Sequence, residues 1–438
     1  MGVKAAKFGG SSVADGIQIR KTKDIIKSDK DRRYIVVSAP GKRFDEDSKI
    51  TDLLYLCKAH KDHNVPYDQV FQVIYDRFIA MELDLKLNVG LDEKLNEIKK
   101  NIEEGAPKDY IASRGEFLNA IVMAEYLGYD FVDTKDLLVF DDKGVFLSEE
   151  SNKNLKKELK KHDNAVFPGF YGSLKKDGRI KTFSRGGSDI TGAIVAKAAD
   201  ADIYENWTDV SGFLMADPRI VKDAKPISTI SYMELRELSY MGASVLHESA
   251  IAPARDENIP INIRNTNRPQ DPGTIIAAEV ESKIDSVVTG IAGKKDFVVI
   301  AISKNNLSSE VGFIRKLLTV LEDFNIRIEH LPTGIDTVSL IIAKKYLEDN
   351  LDEVISEMKN LTKADSIEVY ENMALIATVG ARMASKPGVA ATLFTALYDA
   401  NVNIRMIDQG SSEMNIIVGV KNRDFNAAIK AIYNAFVD

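Results

Sequence analysis

Short apolar runs alternate with segments of helical periodicity along the first two thirds of the chain. Residues 34–37 are Tyr-Ile-Val-Val, a continuous apolar run typical of a strand in a parallel sheet covered on both faces. Isoleucines at 17, 25 and 26 favour a helix over 16–27. Further strands are predicted at 131–132, 137–140, 165–167, 201–210 and 259–264. The alternation predicts an α/β unit with a mostly parallel sheet and helices on both faces.

Helical segments occupy most of the region between residues 51 and 127. Thr51 is a candidate N-cap for the first of them, because its hydroxyl can accept a hydrogen bond from a free N–H group of the first turn. A later helix is predicted to open at Ser113, with Glu116 near its start. A carboxylate there either complements the helix dipole or binds a ligand such as an ammonium group. Later helices are predicted over 190–199, 230–238 and 241–247.

The first candidate anion-binding element is Lys7-Phe8-Gly9-Gly10-Ser11-Ser12-Val13, directly after a short strand. Glycines let the backbone approach a ligand closely, and the N–H groups of such a turn point at an anion. Lys7 adds a positive charge. The segment is therefore either a phosphate cradle or an ordinary strand-to-helix turn with a solvated lysine. It is not a Walker A loop, because the lysine precedes the glycines.

A second glycine-rich turn, Ser184-Arg185-Gly186-Gly187-Ser188-Asp189, leads into a helix of small residues. Arginine can clamp a carboxylate or phosphate with two hydrogen bonds, although Arg185 could equally form a surface ion pair and Asp189 a helix cap. Ser38 ends the strand at 34–37, at the edge where open α/β sheets bind ligands, and is otherwise a turn residue. The polar segment from Arg43 to Ile50 is expected to be a mobile connection.

The C-terminal third contains an internal repeat. Residues 317–328 are echoed at 393–404, with Gly312 and Gly388 in register. Each copy is predicted to form a ferredoxin-like βαββαβ unit. The second copy ends in a helix and lacks its last strand, which residues 287–291 would supply, so that the two copies interleave.

Composition excludes several classes of protein. The chain has 438 residues and a formal net charge of -8, which argues against a nucleic-acid-binding protein. Its single cysteine, Cys57, permits neither an intrachain disulfide nor a cysteine-based zinc site. There is no apolar run long enough to span a bilayer and no signal-peptide core at the N-terminus. We expect a cytoplasmic location and no membrane partner.

Five motifs, in this order along the chain, resemble the aspartate kinase family. They are Lys-Phe-Gly-Gly-Ser-Ser-Val at 7–13, Ser-Arg-Gly-Gly-Ser-Asp at 184–189, Trp-Thr-Asp-Val at 207–210, Asp-Pro-Arg at 217–219 and Gly-Ala-Ser-Val-Leu-His at 242–247. The resemblance implies an amino-acid-kinase fold over 1–281, then a regulatory region at 282–438. That region would hold two interleaved ACT domains, about 295–370 and about 371–438 with strand 287–291. It also implies ATP-dependent phosphorylation of the aspartate side chain to 4-phosphoaspartate, with Mg²⁺ carried by ATP and no protein metal motif.

The resemblance also implies roles for single residues. Lys7 and Asp189 would be catalytic, with Lys7 on the β- and γ-phosphates and Asp189 organising its ammonium or the magnesium. The remaining ATP-binding residues would be Gly9, Gly10, Ser11, Thr208, Asp209, Leu214, Asp217 and Arg219. The aspartate-binding residues would be Ser38, Thr51, Glu116, Arg185, Gly186, Gly187 and Ser188.

The chain departs from the family at Ser11, at Leu214 and near Asn267. Ser11 stands where threonine is common, which keeps the hydroxyl group. Leu214 stands where some members have tyrosine, and Asn267 lies near a position that is lysine in some. Leu214 is therefore named only as an apolar neighbour of the adenine.

ACT pairs in this family bind an end-product amino acid, usually lysine, and associate in a homodimer or a dimer of dimers. The candidate effector residues are Gly312, Phe313, Ile314, Glu329, Asp336 and Thr337, of which Glu329 or Asp336 could meet a lysine ammonium. The effector is lysine alone or lysine with threonine. The enzyme would catalyse the first step of the lysine, threonine and methionine pathway.

Two other functions are compatible with the fold. One is a kinase of the same fold acting on glutamate, carbamate or a nucleotide monophosphate, against which the pairing of Arg185 with Glu116 favours an α-amino acid. The other is a catalytically inactive amino-acid sensor, against which Lys7 and Asp189 argue.

Overall fold

The computed structural model describes residues 2–184, 186–243, 246, 248–278, 287–347 and 350–437. They fall into two compact units. The first comprises Met1–Phe213, Pro226–Tyr232 and Val245–Glu281, and the second Leu214–Lys225, Met233–Ser244 and Ser282–Asp438.

The first unit is built on a mostly parallel sheet, as the apolar runs predict. Its strands are β1 (Lys4–Phe8), β2 (Arg32–Val37), β3 (Asp130–Phe131), β4 (Val139–Phe140), β5 (Ala165–Pro168), β6 (Tyr171–Leu174), β7 (Ile180–Thr182), β8 (Ile203–Thr208), β9 (Thr229–Ser231), β10 (Ile261–Asn265) and β11 (Thr274–Ala277). The main sheet has the order β3-β5-β2-β1-β8-β10-β11-β9. Only β10 and β11 are antiparallel among its described neighbours. Strands β4, β6 and β7 form a smaller sheet.

Helices cover both faces of the main sheet. They are α1 (Gly16–Lys27), α2 (Ile50–Asp62), α3 (Asp68–Asp84), α4 (Leu91–Glu103), α5 (Lys108–Leu127), α6 (Ser148–Leu159), α7 (Gly187–Ala198) and α9 (Glu248–Arg255). The helix before α9 in the chain, α8 (Tyr232–Tyr240), belongs to the second unit from Met233 onward. Because side chains alternate along a strand, Ala6 and Phe8 of β1 point into the core with α1 to α5. Lys7 lies on the opposite face, against α7.

Three sequence predictions about helices were wrong. Helix α2 begins at Ile50 with Lys49 as its N-cap, so Thr51 lies in the first turn and is not the cap. Helix α5 begins at Lys108, so no helix opens at Ser113 and Glu116 lies in mid-helix, where the dipole of a helix start does not act.

The third error is the helix predicted over 241–247. Gly242 has φ +105, a left-handed conformation that ends α8, and the N–H groups of Gly242 and Ala243 return to the carbonyls of Ser239 and Leu238. Helix α9 begins only at Glu248. Residues 244, 245 and 247 of the predicted helix lie outside the described residues.

The second unit contains one sheet shared by the two repeats. Its strands are β12 (Gly290–Ser303), β13 (Thr337–Ala343), β14 (Ser366–Val379), β15 (Met406–Asp408) and β16 (Asn415–Lys421), in the order β13-β12-β14-β16-β15. Its helices are α10 (Phe313–Asp323), α11 (Leu351–Thr362), α12 (Val389–Asp399) and α13 (Phe425–Val437). Strand β12 pairs with β14 in both halves: Gly290 opposite Val379, and Ser303 opposite Ser366. The start of β12 therefore lies beside the first strand of the second repeat.

Two segments from before residue 282 belong to this second unit. In segment 214–225, the carbonyl of Met215 accepts a hydrogen bond from the N–H of Ile291 (2.7 Å), and the N–H of Lys225 donates to the Tyr433 hydroxyl (2.9 Å). In segment 233–244, Glu237 accepts a hydrogen bond from the Asn415 amide (2.6 Å).

Candidate active site

Lys7 and Asp189 lie in contact at the C-terminal end of β1. The Lys7 Nζ is 2.6 Å from the Asp189 Oδ1, and the lysine is only 7% exposed. Asn206, on the neighbouring strand β8, donates a hydrogen bond from Nδ2 to the same Asp189 oxygen (2.9 Å), and its Oδ1 lies 3.5 Å from the Lys7 Nζ. A buried ammonium is thus held by two groups from two elements, an arrangement that fixes its position for an anion.

The backbone next to Lys7 forms two tightly packed turns. The N–H of Gly41 donates to the carbonyl of Gly10 (2.9 Å), and a Cβ at Gly41 would lie 2.6 Å from the Gly10 carbonyl carbon. A Cβ at Gly9 would lie 3.3 Å from the Lys7 Nζ. Glycine is therefore required where the turn after β2 meets the turn after β1, because a side chain would push them apart.

These turns border a cavity of ≈ 600 Å³ in the first unit. Of the residues predicted to bind substrates, the cavity brings together Lys7, Gly9, Gly10, Ser11, Ser38, Thr51, Glu116, Thr208 and Asp209. They come from β1, β2, α2, α5 and β8 and its end, so that only folding makes them neighbours. The volume falls in the range of small-molecule sites.

Glu116 supplies a buried carboxyl group to this cavity. It is 5% exposed, and its Oε2 has no hydrogen-bond partner among the described residues. Burial disfavours the charged form and raises the pKa of Glu116 to about 8; nearby backbone N–H groups and Arg114 offset this only in part. Helix α5 can approach so closely because residue 115 is glycine: a Cβ there would lie 2.7 Å from the Ala39 Cβ.

The second glycine-rich turn positions Asp189 at the start of α7. Gly186 is the N-cap in a left-handed conformation (φ 57), and the helix begins at Gly187. A Cβ at Gly169 would lie 2.6 Å from the Ser188 Cβ, so the turn after β5 packs directly on this one. Among the described residues, the cavity lining does not include Gly186, Gly187 or Ser188. Arg185, predicted to bind aspartate, lies outside the described residues.

Three predicted nucleotide residues lie on a segment of the second unit. Leu214, Asp217 and Arg219 belong to segment 214–225, whereas the cavity residues belong to the first unit. Asp217 and Arg219 form a two-pronged ion pair at 2.6 to 3.1 Å, which contributes to lowering the pKa of Asp217. The Asn267 side chain accepts a hydrogen bond from Lys21 (3.0 Å).

The structure adds cavity residues that the sequence prediction missed. These are Ala39, Pro40, Gly41, Lys42, Arg43, Phe44, Asp45 and Lys49. Four of them, Arg43, Phe44, Asp45 and Lys49, lie in the segment from Arg43 to Ile50 that was expected to be a mobile connection. The available signal was the basic pair Lys42-Arg43 directly after Pro40-Gly41.

The candidate effector residues lie around the start of α10 and the turn before β13. Gly312 is the N-cap of α10 (φ 82), and the ring of Phe313 is buried in the core of the first repeat, so Phe313 can offer a ligand only its backbone. The Asp336 Oδ1 accepts a hydrogen bond from the N–H of Asn306 (2.9 Å). Glu329 accepts a hydrogen bond from the Tyr240 hydroxyl. Ile314 packs against the same core, and Thr337 begins β13.

Within the described part of the chain, there is no group of three or more His, Cys, Asp or Glu side chains arranged to hold a metal ion. No helix there is long and apolar enough to cross a membrane.

Comparison with known proteins identifies the class first. The model of the amino acid kinase family matches residues 3–265, and an ACT domain model matches residues 376–436. The chain therefore belongs to the amino acid kinase family, as the motifs predict. The most similar relatives then indicate which activity within this family is relevant. Aspartokinase 3 of Bacillus subtilis (strain 168) is 38% identical over 449 residues, which cover 99% of this chain and 98% of that protein.

Solved structures agree over the whole chain. The aspartate kinase of Clostridium acetobutylicum is 53% identical, with a TM-score of 0.93 and coverage of 100% of both chains. E. coli aspartokinase III, in complex with aspartate and ADP (R-state), is 26% identical with a TM-score of 0.75 and the same coverage. The structure of E. coli aspartokinase III in complex with lysine and aspartate (T-state) is 25% identical in sequence, with a TM-score of 0.76. Within its family, the chain is an aspartate kinase.

Proposed function

We propose that the chain transfers the γ-phosphoryl group of ATP to the side-chain carboxylate of L-aspartate, giving 4-phospho-L-aspartate and ADP. The observation that carries the proposal is the buried Lys7–Asp189 pair beside a cavity that also holds Glu116. The E. coli relative binds aspartate and ADP, which supports these substrates.

Lys7 would stabilise the charge on the transferring phosphoryl group. Phosphoryl transfer needs positioning and charge neutralisation more than covalent help from the protein. Asp189 and Asn206 hold the Lys7 ammonium in place before substrate arrives, so little reorganisation is needed during the reaction. The turn at Gly9, Gly10 and Ser11 would donate hydrogen bonds to the phosphate oxygens.

Glu116 would bind the α-ammonium group of aspartate. Its Oε2, which has no hydrogen-bond partner among the described residues, would accept a hydrogen bond from a cationic ligand without first losing another one. Ser38 and Thr51, on the same cavity, would orient the side-chain carboxylate. Arg185 with Gly186, Gly187 and Ser188 is proposed to hold the α-carboxylate.

Thr208 and Asp209 would contact the nucleotide, and Leu214, Asp217 and Arg219 its adenine, ribose and phosphates. Magnesium fits this site as an ion carried by ATP. The cavity offers the carboxylates of Asp45 and Asp209, but the described residues form no cage of three acidic or histidine ligands. When bound, the ion neutralises phosphate oxygens.

We further propose feedback inhibition by an end-product amino acid, lysine alone or with threonine, bound near the start of α10. The E. coli relative binds lysine in its T-state, which supports lysine as the effector. Assembly through the ACT domains, a cytoplasmic location and a place at the first step of the lysine, threonine and methionine pathway stay predictions.

Replacement of Lys7 tests the catalytic proposal. Lys7→Ala should reduce formation of aspartyl phosphate, trapped as the hydroxamate, by at least about a hundredfold, because the transition-state charge would lose a buried, fixed cation. The matched control is Lys175→Ala, which removes an exposed lysine paired with Glu150 and should change nothing. Turnover of Lys7→Ala near the wild-type rate, with an unchanged circular dichroism spectrum, would contradict the role of Lys7.

A further inference from the structure

The charged segment 42–49 forms one wall of the cavity. Lys42, Arg43, Asp45 and Lys49 line it, so three cations and one carboxylate of this segment face the space where anionic substrates are proposed to bind. The carboxylate of Asp47 faces away from solvent, is 7% exposed and is bound in a two-pronged manner by Arg43 (2.8 and 3.1 Å). The wall therefore presents more positive than negative charge to the cavity.

The segment is anchored from behind by Arg77 of α3. Its guanidinium donates hydrogen bonds to the carbonyls of Ser48 (2.6 Å), Gly41 (2.6 Å) and Ala14 (3.3 Å). It also lies 3.6 Å from the Asp47 carboxylate, and its side chain is 4% exposed. A buried guanidinium that donates hydrogen bonds to the carbonyls of several loops holds those loops together.

The three carbonyls belong to three different parts of the site. Ala14 follows the glycine-rich turn after β1, Gly41 belongs to the turn after β2, and Ser48 lies near the end of the charged segment. Since Gly41 already packs on Gly10, Arg77 joins the phosphate turn, the second turn and the charged segment into one body.

We propose that Arg77 is a positioning residue for the kinase reaction: it holds segment 42–49 so that Lys42, Arg43 and Lys49 face the aspartate end of the cavity. The inference rests on the proposed function, because that function supplies the anionic ligand. The aspartate end is favoured because Ser38 precedes the segment and Thr51 follows it, and both are proposed to touch aspartate.

The other side chains of α3 make a selective test possible. Phe71, Ile74, Phe78 and Met81 are buried in the core and hold the helix without Arg77. Loss of the guanidinium should therefore loosen the charged segment more than the fold.

The experiment compares Arg77→Ala and Arg77→Lys with wild-type enzyme in the hydroxamate assay. Because Arg77→Ala removes hydrogen bonds made by a buried charged group, it should raise the KM for aspartate by about tenfold or more. The KM for ATP should change by less than about threefold, because the bond from Arg77 to Ala14 is the longest of the three (3.3 Å) and the Gly41–Gly10 hydrogen bond still holds the phosphate turn. Arg77→Lys should recover part of the loss.

Chemical rescue separates positioning from general damage. Millimolar guanidinium should lower the KM for aspartate of Arg77→Ala and leave the wild type unchanged, because the free ion can enter the space left by the side chain. Tetramethylammonium at equal ionic strength is the control ion. Arg20→Ala, which removes an exposed arginine paired with Asp84 at the end of α3, is the control variant and should match the wild type.

Asp47→Asn keeps the experiment decisive if the Arg77 variants fail to fold. It removes the charge that Arg43 and Arg77 share and should raise the KM for aspartate by about threefold, the value of a partly buried charge interaction. The proposal is overturned if folded Arg77→Ala keeps the wild-type KM for aspartate or raises both KM values equally without rescue. It is also overturned if Arg77→Ala does not fold and Asp47→Asn behaves as the wild type. A wild-type enzyme that makes no aspartyl hydroxamate would instead refute the proposed function.

Discussion

At the scale of the residue, Glu116 shows how burial prepares a group for one ligand. Its carboxyl group is almost entirely removed from water, and Oε2 has no partner among the described residues. The pKa is raised to about 8, so near neutrality the empty site holds mainly the neutral acid. An incoming ammonium group stabilises the charged form, so aspartate binding should be accompanied by loss of the proton.

The pH dependence of aspartate binding follows from this pKa. Below about pH 8 each unit of pH changes the charged fraction of Glu116 about tenfold, so kcat/KM for aspartate should rise with pH and level off near 8. Glu116→Gln should raise KM and flatten the profile. Glu125→Gln, on the exposed side of the same helix, should keep the wild-type profile. A wild-type profile that is flat between about pH 6 and 8 would contradict the role of Glu116.

At the scale of the element, the site depends on how closely two turns approach. The turns after β1 and β2 touch through Gly10 and Gly41. A side chain on Gly41 would force these turns apart and move the backbone next to Lys7. Both turns follow parallel neighbouring strands, so their ends meet at the same edge of the sheet. Helix α5 adds Glu116 to this edge because Gly115 allows close packing on Ala39.

Gly41→Ala tests this packing. The new Cβ would lie 2.6 Å from the Gly10 carbonyl carbon and 2.8 Å from the Ser11 nitrogen, so the phosphate turn must shift. A displacement of this kind can lower kcat/KM by about a hundredfold in the hydroxamate assay. Gly410→Ala is the control, because a Cβ there meets no atom within 4 Å and the φ of Gly410 is not left-handed. Equal activity of the two variants would show that the approach of the turns is not needed.

The elements also show what sequence periodicity could predict. Strands at 34–37, 165–167 and 259–264 were predicted because apolar runs are local patterns. The opening of a helix at Ser113 was wrong because nothing between Lys108 and Leu127 ends a helix, while Gly115, which looks like a break, serves packing instead. The helix predicted at 241–247 was wrong because the left-handed Gly242 ends α8.

At the scale of the whole molecule, the two structural units are not formed by two continuous stretches of the chain. The family match covers 3–265, yet segments 214–225 and 233–244 belong to the unit that contains the ACT repeats. Inside that unit, Glu234 of α8 accepts hydrogen bonds from the Thr289 hydroxyl (2.6 Å) and the Ala381 N–H (2.8 Å). Segment 214–225, which carries the proposed nucleotide residues Leu214, Asp217 and Arg219, is thus part of the unit that is proposed to bind the effector.

Asp336→Ala tests the proposed effector site at this scale. Asp336 accepts a hydrogen bond from the N–H of Asn306, and its second oxygen can meet an ammonium group. The variant should raise the lysine concentration for half inhibition by about tenfold, the loss of one charge-assisted hydrogen bond, and leave uninhibited turnover unchanged. Asp365→Ala removes a similar bond to the neighbouring Asn305 N–H (2.7 Å) and should keep wild-type inhibition. Unchanged inhibition of Asp336→Ala would place the effector elsewhere.

The family, the α/β unit, the tandem repeat and the two glycine-rich turns could be predicted from the sequence, because periodicity, turn chemistry and motifs are patterns of neighbouring residues. The pairing of Asp189 with Lys7 was expected from the family motifs. The part of Asn206, the burial of Glu116 with an oxygen that has no partner among the described residues, and the hold of Arg77 on the charged segment became visible only in the fold. Burial, ion pairing and pKa depend on groups far apart in the chain, and those distances exist only once the sheet has brought its strand ends together.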